Sequence, residues 1–239
     1  MSADRPLKLM LLPGLLNDAA LWRHQSQALA PLADISVPDL TVADDMRALA
    51  AAVLAQTPPQ PFALAGLSMG GYVALEILRQ APQRVAALAL LDTSAHPDTP
   101  EAAENRRRMI ALAQRDFAQV APALMQAALY PPHLHESAIA GVIEEMARRV
   151  GPDAYIRQQR AILSRADSRP LLERITQPTL VLCGRQDRIA PPALHEEMVR
   201  AIPGATLTLV EHCGHLSALE QPEAVSAAMH SWLASLDAG

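Results

Sequence analysis

Gly66-Leu67-Ser68-Met69-Gly70-Gly71 constrains the fold of this chain more than any other run. Before it stands Phe62-Ala63-Leu64-Ala65, a short apolar run that reads as a buried strand. After it stands Tyr72-Val73-Ala74-Leu75-Glu76-Ile77-Leu78, which reads as a helix. A G-x-S-x-G pattern in that setting is a sharp strand-to-helix turn that holds the serine hydroxyl out at the sheet edge. Backbone that bends tightly and packs closely leaves no room for a Cβ, which is the use of the glycines. The pattern alone arises easily by chance. The strand before it and the helix after it make Ser68 a candidate nucleophile.

The same alternation organises most of the chain. Residues 7–12 read as a strand, 19–29 as a helix, 35–38 as a short strand and 46–55 as a helix closed by Pro58-Pro59. Residues 85–91 form the next buried strand, ending at Asp92-Thr93-Ser94. Strands alternating with helices imply a parallel sheet covered on both faces. From His96 to about Arg169 no strand signal appears. Ile139, Val142, Ile143, Met146 and Val150 follow helical spacing, and 121–129 reads as a helix ended by Pro131-Pro132. The expected organisation is a core of residues 1–95 and 170–239, interrupted by a helical insertion at 96–169. Its position favours a cap over the carboxyl edge of the sheet, above Ser68, against the alternative of a purely structural excursion.

Two segments near the C-terminus supply partners for Ser68. Residues 178–184 read as a buried strand ending in Gly184, with Asp187 in the loop beyond. Residues 205–210 alternate like a strand, and His215 follows on a loop. Reactive groups in parallel sheets sit outside the carboxyl ends of strands, where all three residues fall. Serine needs an adjacent base to act as a nucleophile. His215 would take its proton, and Asp187 would fix the imidazole tautomer. Taken singly, Asp187 also reads as a turn residue and His215 as an ordinary loop histidine. His212 is the competing histidine, placed nearer the exposed strand end. An oxyanion needs two N–H donors. Met69, just after the serine, offers one. The loop Pro13-Gly14-Leu15-Leu16-Asn17-Asp18 offers the other, for which Leu15 is the choice; Asn17 or Asp18 also suits a helix cap.

Together, residues 11–18, 66–71, 184–187 and 214–222 resemble the α/β-hydrolase superfamily. The elbow and the final block, Gly-His-Leu-Ser-Ala-Leu-Glu-Gln-Pro, resemble its small bacterial branch of carboxylesterases, enol-lactonases and C–C bond hydrolases. The resemblance implies the order nucleophile, acid, histidine along the chain. Many relatives carry His-Gly where this chain has Pro13-Gly14. Larger relatives begin with two further strands, so a trimmed, mostly parallel sheet of about six strands is expected here. The implied activity is a serine hydrolase cleaving a small to medium carboxylic ester or lactone through an acyl-enzyme, with no metal and no cofactor. The alternatives are C–C bond or enol-lactone hydrolysis in aromatic degradation, and a ligand-binding sensor with slow turnover. Fold alone does not choose among them.

Composition bounds the setting. The chain has 239 residues, half of them hydrophobic, and a formal net charge of −5. Without a basic tail or stripe, nucleic-acid binding is not expected. The two cysteines, Cys183 and Cys213, show neither a disulfide framework nor zinc-ligand spacing. No apolar stretch is long enough to span a membrane, and none resembles a signal peptide, so a soluble cytoplasmic monomer or homodimer is expected. Trp22, Met125 and Arg157 are the candidates for substrate contact: Trp22 after the oxyanion loop, Met125 as an adaptable apolar wall, and Arg157 as one of several insertion arginines able to grip a carboxylate.

Overall fold

The computed structural model describes residues 7–57 and 59–236. Residues 1–6 and 237–239, counted with the expected core, and Pro58 of the expected helix stop lie outside the described residues. Six strands form one parallel sheet in the order β2-β1-β3-β4-β5-β6: β1 Leu7–Leu12, β2 Ala33–Ser36, β3 Phe62–Leu67, β4 Val85–Leu91, β5 Thr179–Gly184 and β6 Thr206–Val210. The helices are α1 Arg23–Leu29, α2 Met46–Gln56, α3 Met69–Gln80, α4 Pro100–Arg115, α5 Val120–Ala128, α6 Ser137–Leu163, α7 Arg169–Leu172, α8 Pro192–Ala201, α9 Ser217–Glu220 and α10 Pro222–Leu236. The expected strand at 35–38 forms two residues earlier. The expected helix at 19–29 begins as a 3-10 turn, Ala19–Trp22, before α1.

The middle of the sheet is buried on both sides because β1, β3, β4 and β5 are almost wholly apolar, and the two-residue period divides their side chains between two cores. Leu9, Leu11, Ala63, Ala65, Leu180 and Leu182 face α1 and α10, where Leu29, Val225 and Met229 meet them. Met10, Leu12, Phe62, Leu64, Leu88 and Val181 face α2, α3 and α8, where Leu49, Val73 and Met198 meet them. Each fully buried leucine contributes about 1.5–3 kcal/mol relative to an exposed one. A small third core, Leu16, Ala113, Val120, Ala147 and Tyr155, joins the loop after β1 to α4, α5 and α6.

The chain passes from β1 to β2 on one side and returns to place β3 on the other side of β1. The crevice at such a reversal, outside the carboxyl ends of the two strands, is the preferred ligand position of open parallel sheets. The loops after β1 and β3 carry residues 13–18 and Ser68. Between β4 and β5 the chain makes α4, α5 and α6, with α6 broken at Gly151 (φ 75°) ahead of Pro152. Among the described residues, no helix is long and apolar enough to cross a membrane.

Candidate active site

Ser68 lies between β3 and α3 with φ 55° and ψ −115°, a strained conformation for a residue with a Cβ. Its surroundings over-determine it. The Ser68 N–H donates to the Leu91 carbonyl at 2.9 Å. The Ser68 carbonyl accepts from the Gly71 and Tyr72 N–H groups and from Thr93 Oγ1 at 2.8 Å. The glycines let α3 approach: a Cβ on Gly66 would strike the Gly70 carbonyl, and one on Gly70 would strike the Leu12 carbonyl of β1.

Asp187 and His215 arrive from the loops after β5 and β6. Asp187 Oδ1 accepts the N–H groups of Ile189 and Ala190 at 2.8 and 2.9 Å, which fixes the carboxylate. Its Oδ2 lies 2.7 Å from His215 Nδ1. A carboxylate only accepts, so the ring proton sits on Nδ1, and Nε2 is left to accept from Ser68 Oγ at 2.8 Å. His215 is buried, which opposes its charge, but the carboxylates around it, Asp187 first and then Asp92 and Glu220, together more than offset this and hold the imidazole pKa above its ordinary value. His212, the competing histidine, is exposed and packs against the Tyr130 ring instead.

The loop after β1 turns through Asn17 N–H to Gly14 carbonyl at 3.2 Å, with Leu16 at φ 60°. The Leu16 N–H is taken by Gln158 Oε1 of α6 at 2.9 Å. Leu15 lines the same cavity as Ser68 and His215. Met69 is the first residue of α3, so its N–H belongs to the group that a helix leaves without an intrahelical acceptor. The cavity encloses about 480 Å³ and is bounded by the sheet edge and by the helices between β4 and β5.

Three expected contacts fall elsewhere. Trp22 is fully buried in the core beneath α1, and Met125 packs against that same core. Arg157 points its Nε at the Thr41 carbonyl, 2.8 Å away on the segment after β2. None of the three lines the cavity. Trp22 follows the oxyanion loop closely in sequence, but it ends the 3-10 turn with its side chain wholly in the core. Arg157 stands on a face of α6 that meets the segment after β2 rather than the pocket.

Three residues near the triad carried no assignment from sequence. Buried Glu220 of α9 brackets the histidine loop: Oε1 accepts from Gly214 and Leu216, each at 3.1 Å. Its Oε2 accepts from the Tyr130 N–H at 2.8 Å and meets His133 Nδ1 at 2.9 Å, tying that loop to the inserted segment. The position lies within the Gly-His-Leu-Ser-Ala-Leu-Glu-Gln-Pro block that carries the family resemblance. Buried N–H groups without an acceptor cost about 1–3 kcal/mol each. Glu220→Ala strands three of them. It is expected to lower unfolding stability by at least ~3 kcal/mol in urea titration, with Glu220→Gln intermediate because an amide keeps one acceptor. Asp92, just past β4, accepts the Gly184 and Ser217 N–H groups at 3.0 and 3.1 Å. Burial, and then the Asp187 charge, push its carboxyl up to about 7. Gln158 is the third, bonded both to Leu16 and to the Leu40 carbonyl.

Asp92, Cys183 and Asp187 bring ligand-type atoms within 4.8 Å of one another. Every carboxylate oxygen among them already receives an N–H group, and burial pushes the Cys183 thiol far up, so the trio fits no metal ion. Cys213 is likewise buried, with its thiol pKa raised by burial.

Comparisons with known proteins show the family. A family model described as "alpha/beta hydrolase fold" matches residues 9–222. A pimeloyl-[acyl-carrier protein] methyl ester esterase of Neisseria meningitidis serogroup A is 31% identical over 189 residues, covering 77% of this chain and 60% of the relative's length. The match thus spans about three fifths of that protein's length. A thermophilic esterase from Thermogutta terrifontis, solved with malate bound, superposes with a TM-score of 0.89 at 32% identity, covering 96% of this chain and 90% of the other. An enol-lactonase from Burkholderia xenovorans superposes with a TM-score of 0.85 at 21% identity, covering 98% and 94%, which speaks to fold alone.

Proposed function

The chain belongs to the α/β-hydrolase family, and from that premise we propose that it is a serine hydrolase of small to medium carboxylic esters. The observation that carries this reading is the continuous relay from Ser68 Oγ through His215 to Asp187, with links of 2.8 and 2.7 Å. Ser68 attacks the ester carbonyl as His215 Nε2 takes its proton. The charge developing on the carbonyl oxygen is received by the N–H groups of Leu15 and Met69, the latter at the positive end of α3. His215 then protonates the leaving alcohol, the acyl-enzyme forms, and a water activated by the same imidazole releases the acid. Asp187 keeps the ring in the tautomer each step requires. Ester chemistry is favoured over other outcomes of the fold because the relatives named above include a methyl ester esterase and a thermophilic esterase.

In the same reading, residues 96–169 act as a cap. Gln158 of α6 grips the oxyanion loop, and His133 grips Glu220 beside the catalytic histidine, so both halves of the site are tied to the insertion. Such a cover excludes water and sizes the substrate.

Hydrolysis of p-nitrophenyl acetate, butyrate, octanoate and palmitate tests the proposal. Turnover is expected with an optimum at butyrate or octanoate, because a cavity of about 480 Å³ is in the range of small-molecule sites. Absence of turnover on all four by folded protein would remove the ester reading and shift weight to lactone or C–C substrates.

A further inference from the structure

The cavity wall carries more positive charge than its structural role requires. Apart from two histidines, the charged residues lining it are Asp98, Arg106 and Arg165. Arg106 of α4 donates from Nε to Asp98 Oδ2 at 2.6 Å and from Nη2 to Oδ1 at 3.3 Å. Arg165, just past α6, donates from Nη2 to the same Oδ1 at 2.8 Å. Two guanidiniums therefore share one carboxylate. Burial opposes the Asp98 charge, and the two arginines more than offset that, holding its pKa below the usual carboxylate range.

The remaining bonds fix both guanidiniums in place. Arg106 Nη1 donates to Gln159 Oε1 at 3.1 Å, and Gln159 in turn donates to the Tyr155 hydroxyl at 2.7 Å. Arg165 donates to the His96 and Ile162 carbonyls at 3.2 and 3.1 Å and lies over the Tyr72 ring, 4.3 Å from its centroid. Each guanidinium has five N–H groups, and these bonds use three on each. The neighbouring His96 is already matched by Glu197 at 2.8 Å. The cluster thus keeps a formal charge of about +1 beside a mostly apolar cavity, where an unmatched buried charge is costly. Holding the two ends of the insertion together through Asp98 needs one arginine per carboxylate. Tyr72 stands one helical turn from Ser68, so the surplus cation lies within a substrate's length of the nucleophile.

We infer that Arg106 and Arg165 form a subsite for a carboxylate on the substrate, remote from the ester bond that is cut. Asp98 displays the fit, since a planar carboxylate already spans the two forks. The substrate class is an ester whose other end is a free acid, such as a monoester of a dicarboxylic acid. This inference rests on the serine-hydrolase reading above.

The test compares monomethyl adipate with methyl hexanoate, its uncharged counterpart, and with methyl 6-aminohexanoate, which carries the opposite charge. The wild-type protein is expected to prefer the acid over the neutral ester at least tenfold in kcat/KM, mainly through KM, with the amine poorest. Added salt should narrow that gap. Arg106→Gln and Arg165→Gln should each bring the acid-to-neutral ratio down toward one. A wild-type ratio of one or less, or a ratio that survives both substitutions, overturns the subsite. If Arg165→Gln does not fold, the wild-type ratio and Arg106→Gln carry the test. Hydrolysis of p-nitrophenyl acetate by wild type and its loss in Ser68→Ala report on the serine reading alone. Lack of that activity removes both ideas, whereas activity with a ratio of one removes only the subsite.

Discussion

Ser68→Ala is expected to lower kcat on p-nitrophenyl butyrate by about 10⁴- to 10⁶-fold while leaving the fold intact. The substitution removes a single atom that makes one hydrogen bond, to His215 Nε2. The backbone bonds that hold the turn, from Ser68 N–H to Leu91 and from Thr93 Oγ1 to the Ser68 carbonyl, do not depend on the side chain. Alanine keeps a Cβ at φ 55°, so the backbone strain is unchanged. Urea midpoints for the two proteins should therefore agree to within about 1 kcal/mol, the worth of one net hydrogen bond. Loss of activity with that stability preserved separates a nucleophile from a structural serine. A substituted protein within tenfold of wild type would mean that acyl transfer does not pass through this hydroxyl. Mass spectrometry adds a second readout: a phosphonate ester should add covalently to wild type at Ser68 and leave Ser68→Ala unlabelled.

What the sequence discloses about this protein follows the range of the interactions involved. The sheet was legible because its central strands are nearly unbroken apolar runs flanked by helices, and residues 85–91 form a strand with the expected bounds. The elbow was legible because a sharp strand-to-helix turn needs glycine, and the approach of Gly70 to Leu12 supplies the reason. The side chains that converge on Ser68 could be nominated from strand ends, since a parallel sheet sends all its strand ends to one edge. Asp92 and Glu220 were not legible as supports of the histidine loop. Their partners, Gly184 and Ser217 for one, Gly214 and Tyr130 for the other, are brought together only by packing. The insertion resisted for a related reason. Its arginines are spaced like a solvated helix face, and only the fold shows that Arg106 meets Asp98 while Arg157 turns to Thr41.

Asp187→Asn should be nearly as damaging as loss of the serine, about 10⁴-fold in kcat, though it changes the shape of the site very little. The amide oxygen can keep the Ile189 and Ala190 N–H groups that Oδ1 now receives. Its NH₂ group then faces His215 Nδ1, where the carboxylate now accepts. A donor at that place forces the ring proton onto Nε2, and an Nε2 that carries a proton cannot take one from Ser68. The pH dependence gives an independent check. Catalysis needs the neutral imidazole, so activity falls as pH drops through the His215 pKa. Burial lowers that pKa, but Asp187, with smaller help from Asp92 and Glu220, raises it, and the net shift is upward. The acid limb of kcat/KM for wild type should accordingly lie above the ordinary histidine value of about 6.5. Removing the carboxylate's charge leaves burial as the largest influence, so the limb of the residual activity should move to lower pH. If the limb stays where it was, the titrating group is not the histidine that Asp187 holds.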